Sequence, residues 1–269
     1  MSRGFTLNAI WFAWAGRFNV VNDHQPAMDS FPQELIDTII DHLPDSDTHS
    51  SSLVAKRWRP RSQQHYFASV EFSCEDHIVR WCAKIPQDPD GIPSYVRSVR
   101  FLCIHHWREP ALFGRVLKTF TSMTNLWIDE TDIPQPDKVP GSVSFDEFGK
   151  EIKHLTLWSI RCPVATIVSM VLSFPNLEDF IATGLPSGEI PAILPHTPQR
   201  RPLASLRLYA PTCGIGPAMA RCGLKSYRLS LCLSDAGLVQ ILTLSSRVVV
   251  ELELYGMWSS RSIREQKRY

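Results

Sequence analysis

From residue 31 the chain reads Phe-Pro-Gln-Glu-Leu-Ile-Asp-Thr-Ile-Ile-Asp-His-Leu-Pro, and Leu35, Ile36, Ile39, Ile40 and Leu43 fall on one face at helical spacing. Pro32 suits the first turn, where a missing N–H costs nothing, and Glu34 complements the positive helix end. Pro44 and Asp45-Ser46-Asp47 stop the helix. A second helix is expected to carry Leu53, Val54 and Trp58 and to end before Pro60, with a short third one carrying Tyr66 and Phe67. Three helices in about 40 residues bury too little surface to stand alone, so a partner or a following domain should cover the remaining apolar face.

Further along, the period changes. An apolar-x-x-apolar-x-apolar pattern recurs at Val96-Val99-Phe101, Met123-Leu126-Ile128, Ile152-Leu155-Leu157, Leu177-Phe180-Ala182, Leu203-Leu206-Leu208, Leu224-Tyr227-Leu229 and Val249-Leu252-Leu254. The central residues are spaced by 27, 29, 25, 26, 21 and 25 positions. Helical returns are expected at Leu112, Phe113, Val116, Leu117 and Phe120, at Val164, Ile167, Val168, Val171 and Leu172, and at Leu238, Ile241 and Leu242. Proline-rich stretches at 133–140 and 185–202 read as loops. The fold class expected is α/β: a short helical module followed by an irregular solenoid whose strands form a parallel sheet. A layered α/β fold with evenly spaced strands is the alternative.

Two families resemble these segments. Phe31-Pro32-Gln33-Glu34-Leu35, Ile39 and Leu43, followed by Leu53-Val54-Ala55-Lys56-Arg57-Trp58 and Phe67, resemble an F-box, with a match covering residues 31–67. The chain departs from that family at Thr48-His49-Ser50-Ser51-Ser52, where leucines are usual, and at Ala55, where cysteine is frequent. The later repeats are similar to leucine-rich repeats in spacing, though they lack the usual asparagine or cysteine five positions after the central residue. The resemblance implies docking onto a Skp-type adaptor and, through it, a cullin scaffold of a ubiquitin ligase. The chain would be no enzyme itself. Phe31, Pro32, Leu35, Ile39, Leu43 and Val54 are the candidate adaptor anchors, with Trp58 bracing the module internally. The alternative is a repeat-based interaction module whose degenerate F-box enters no ligase.

Target capture would fall to the sheet. If Leu126, Leu155, Leu206 and Leu252 face the core, their neighbours one and three positions on face outward. That places Arg100, Trp127, Thr156, Ile181, Arg207, Arg228 and Glu253 in one row, and Leu102, Asp129, Trp158, Thr183, Tyr209, Ser230 and Tyr255 in the next. Arg100, Trp127, Trp158, Arg207, Tyr209, Arg228 and Tyr255 are the candidate target-binding residues, aromatic and arginine side chains being enriched at interface hot spots. The tryptophans could instead be tucked under loops.

Boundaries follow from these readings: an extension at 1–28, the F-box at 29–70, a linker at 71–92, the repeat domain at 93–258 and a basic tail at 259–269. The extension, with Ile10-Trp11-Phe12-Ala13-Trp14-Ala15, is read as lacking a folded role, a secretory leader being the alternative.

Composition narrows the partners. In 269 residues, 28 basic and 27 acidic side chains leave a formal charge of +1, too little to attract nucleic acid or an anionic membrane through bulk electrostatics. The longest apolar runs, such as 167–174, are far below the ~18 residues of a bilayer span. Seven unclustered cysteines, an odd number, suit thiols in the cytoplasm or nucleus better than a disulfide framework. Cys103-Ile104-His105-His106 lacks a second pair at zinc spacing, and Gly214-Ile215-Gly216 lacks the third glycine of a dinucleotide loop. No metal and no cofactor is therefore expected.

Overall fold

Buried apolar residues, leucine, valine, isoleucine and phenylalanine, alternating with more exposed ones form short strands, and longer amphipathic runs between them return the chain as helices. A computed structural model describes residues 31–84, 91–134, 144–184, 202–209, 225–232 and 251–255, together with Ile215, Ala218, Met219, Cys222 and Val249. The expected extension at 1–28, the loop over most of 185–202, the Leu238–Leu242 helix and the basic tail lie outside the described residues.

The helical module comprises α1 (Gln33–Asp41), α2 (Asp45–Ser51), a 3₁₀ turn (Lys56–Trp58) and α3 (Arg59–Tyr66). Pro32 caps α1, and its carbonyl accepts the N–H groups of Leu35 and Ile36. The second helix differs from expectation. It is the polar tract itself, capped by Pro44, while Leu53 and Val54 fall in the turn beyond it. Pro60 opens α3 rather than closing its predecessor, because a proline in the first turn forfeits no intrahelical hydrogen bond. Serine and threonine are tolerated in α2 because their hydroxyls turn inward: Ser51 Oγ donates to the Thr48 carbonyl at 2.7 Å and lies 2.7 Å from Ser62 Oγ of α3.

The sheet has eight strands among the described residues, all parallel, in sequence order: β1 (Ser69–Phe72), β2 (Ser98–Leu102), β3 (Asn125–Asp129), β4 (His154–Trp158), β5 (Asp179–Thr183), β6 (Leu203–Tyr209), β7 (Ser226–Cys232) and β8 (Glu251–Tyr255). Between them run α4 (Glu75–Lys84), α5 (Ile92–Tyr95), α6 (Ala111–Thr119), α7 (Phe145–Phe148) and α8 (Val164–Ser173). The architecture is thus α/β with an open parallel sheet.

Three expectations are corrected. The sheet begins one strand earlier, since β1 pairs with β2 in the register Val70↔Val99, and the stretch 71–92 carries the end of β1, the helix α4 and the first residue of α5 rather than a linker. A four-residue strand is too short for its period to stand out. In β7 the residue in line with Leu206 is Leu229, not Tyr227. Buried Ser226 sits at that register, its hydroxyl donating to the Arg228 carbonyl at 2.7 Å and lying 3.3 Å from the Leu203 carbonyl, and Tyr227 stays exposed. Finally, Leu126, Leu155 and Leu206 are buried as expected, but Leu252 is 38% exposed on the last strand of the order, which among the described residues has a neighbouring strand on one side only.

Repeated backbone devices hold successive strands in line. The carbonyls of Ala68, Arg97, Thr124 and Lys153 each accept two consecutive N–H groups of the next strand's entry. At the exits, Cys103, Glu130, Ser159 and Gly184 all adopt positive φ, and the N–H groups of Cys103, Glu130 and Ser159 bond to the carbonyl ending the neighbouring strand. A left-handed residue reverses the chain sharply toward its helix; three of the four are not glycine, so sequence composition hides the device. The core lies between sheet and helices, where Phe72 stacks on Phe101 at 5.5 Å and meets Trp81 edge-on at 5.8 Å.

Candidate functional site

On α1 the apolar stripe divides. Ile36 and Ile40 are 1% and 0% exposed and fasten the helix to the module, each burial contributing roughly 1.5–3 kcal/mol. Leu35 and Ile39, one position back, are 50% and 44% exposed. Phe31, Leu53 and Val54 are also exposed, as is Pro32, while Leu43 and Trp58 are half-buried. The six candidate anchors therefore carry accessible apolar surface to different degrees. Leu53, part of the F-box resemblance but not one of the six candidate anchors, is the most exposed large apolar residue of this group. The apolar pattern marks Leu53, but the second helix ends before it and leaves it in an exposed turn.

Charges lock the module from the other side. Asp41 accepts from Arg61 Nε at 2.6 Å and Nη2 at 2.7 Å and lies 2.7 Å from His65 Nε2. The Arg61 guanidinium, and then His65, hold the Asp41 carboxyl well below the usual range. Burial pushes the Tyr66 hydroxyl up to about 12, so it stays neutral.

On the sheet, the register assigns the outward rows. Arg100, Trp127, Thr156, Ile181 and Arg207 share one row as expected, and it continues through Ser230 and Glu253. Arg228 belongs instead to the row of Asp179, Ser205 and Glu251, a consequence of the two-residue offset in β7. Ser230 leaves the second row, and Cys232 pairs there with Tyr255, whose side chain lies outside the described set.

Arg100 is already engaged within the chain. Its guanidinium carbon sits 4.5 Å from the Trp127 ring centroid, Nη2 reaches Asp129 Oδ2 at 3.3 Å, and Nη1 lies 3.9 Å from Glu71 Oε2. Trp127 is half-buried in this arrangement, and its buried Nε1 has no partner among the described residues. Trp158, by contrast, is 47% exposed. Arg207 is exposed with Nε donating to Ser205 Oγ at 3.1 Å, Tyr209 is half-buried, and Arg228 pairs with Glu251 at 3.2 Å.

Among the described residues no group of three or more histidine, cysteine or acidic side chains is placed to hold a metal. Ile104 is buried while His105 and His106 are exposed, so that contiguous run does not converge. Cys103 is exposed, yet desolvation and the Glu130 carboxylate 3.6 Å from its sulfur raise its pKa. Cys162 is buried and its thiol is pushed up to about 12 by desolvation. Neither is disposed to act as a thiolate nucleophile. No described helix is long and apolar enough to cross a membrane. No protein-family model matches the chain, and no curated protein matches it in sequence.

Proposed function

We propose that the chain is a substrate-recruiting adaptor of an SCF-type ubiquitin ligase, working in the cytoplasm or nucleus. The helical module, read as an F-box, docks a Skp-type adaptor and through it a cullin scaffold; the sheet domain, read as leucine-rich-repeat-like, captures a target protein. Ubiquitin transfer belongs to other subunits, and this chain contributes proximity. The observation that carries the reading is the exposed apolar set Phe31, Leu35, Ile39 and Val54 on a module whose own core is filled by Ile36 and Ile40. Such residues at helical spacing are what helix-in-groove docking uses.

One observation favours the second reading, an interaction module outside any ligase. In α2, Thr48, Ser51 and Ser52 are buried and hydrogen-bonded within the module, so this helix adds little apolar surface to the exposed set. Titration of the full chain with a purified Skp-type adaptor separates the two. A complex of ~1 μM or tighter that Leu35→Asp abolishes supports the ligase adaptor. Absence of a complex supports the second reading.

A further inference from the structure

The chain shows, within itself, how this sheet face binds a cation. Arg100 lies over the Trp127 indole at 4.5 Å and is flanked by the carboxylates of Glu71 and Asp129. Two carboxylates around one guanidinium leave the group with excess negative charge. One strand further on, Trp158 is the register partner of Asp129, so their side chains leave the same face of adjacent strands ~4.8 Å apart. Trp158 is 47% exposed, and among the described residues no cationic side chain lies over its ring. An aromatic face beside a partly neutralised carboxylate attracts a cation through both its quadrupole and its charge.

We propose that Trp158 and Asp129 form a seat for an arginine or lysine side chain presented by the captured partner, which is therefore a protein with an exposed basic segment; this rests on the reading of the sheet domain as the target-binding part. Arg100 fills the neighbouring seat permanently. It covers Trp127 and holds the Asp129 carboxylate through the 3.3 Å contact of Nη2. A neutral polar side chain gains neither interaction, so the seat selects charge rather than shape.

The test uses the full chain and two probes, the peptide acetyl-Arg-Gly-Arg-amide and its neutral isostere acetyl-citrulline-Gly-citrulline-amide. The indole N–H resonance of Trp158 is assigned by its disappearance in Trp158→Phe. It is expected to move saturably with the arginine peptide and to stay in place with the citrulline peptide. Asp129→Asn should weaken the response roughly 2- to 5-fold. Leu35→Asp, which removes an exposed residue of the helical module, should leave the response intact. An unmoved Trp158 resonance, equal movement with both peptides, or an undiminished response in Asp129→Asn overturns the proposal. Adaptor binding, measured on the same samples, reports separately on the ligase reading: loss of either function can be seen while the other persists.

Discussion

Asp41 and Arg61 form a paired contact between the end of α1 and α3, with both carboxylate oxygens engaged at 2.6 and 2.7 Å. This side-on pairing orients two helices whose packed interface is small, and His65 adds to the same carboxylate. The folded pKa of Asp41 is depressed. Its contribution is therefore full above the ordinary aspartate value of 3.8 and is lost as the pH falls through the lower folded value. Asp41→Asn should lower the melting temperature at pH 7 and reduce the difference between melting at pH 7 and at strongly acidic pH. Melting curves monitored by circular dichroism at both conditions check this.

A second carboxylate ties neighbouring repeats together. Glu75, at the start of α4, is buried and accepts the N–H groups of Arg108 and Glu109 at 3.0 and 2.7 Å, with Arg108 Nε at 3.1 Å. Burial alone would raise its pKa, but these donors together bring it below 4.5. Glu75→Ala strands the donors and should cost about 1–3 kcal/mol in urea denaturation. In the unaltered chain this contribution is complete above pH 4.5 and vanishes as the pH drops through the folded value.

Two glycines have separate physical reasons. An added Cβ at Gly149 would collide with the buried Phe174 ring, and Gly184 turns the chain after β5 at φ +61°. Gly149→Ala should destabilise by roughly 1–3 kcal/mol through overpacking. Gly184→Ala should cost about 1 kcal/mol for the left-handed backbone, which Ser159 adopts one strand earlier with a side chain attached, and the Ser159 hydroxyl 2.9 Å from the added Cβ must turn aside. Chemical denaturation of both variants gives the order.

Buried and exposed apolar residues on α1 should respond differently to the same substitution. Ile40→Asp buries an unpaired charge and should unfold the helical module, removing its contribution to helical circular dichroism. Leu35→Asp, at an exposed position, should change folding stability by no more than about 0.5 kcal/mol. The pair shows whether loss of adaptor binding in Leu35→Asp reflects the surface or the fold.

The α/β class, the placement of β2 through β6, and the helices α6 and α8 were legible in the sequence, because each carries a regular apolar period whose buried face needs only its own spacing to be recognised. The stripe on α1 was legible too, but not its division: Leu35 and Ile36 are equally apolar, and only the docking of α3 and the 3₁₀ turn makes one core and the other surface. Composition misplaced the second helix, since the inward hydrogen bond between Ser51 and Ser62 joins residues eleven positions apart. The same limit applies at β7. Leu224-Tyr227-Leu229 repeats the local pattern, yet pairing with β6 selects Leu229 for the row of Leu206 and so moves Arg228 to a different row. Trp127 and Trp158 likewise share a residue type and a face, and tertiary structure alone distinguishes them: Arg100 comes from another strand to cover the first and leaves the second open. Local period depends on neighbours in the chain, whereas burial, register and charge pairing depend on neighbours in space.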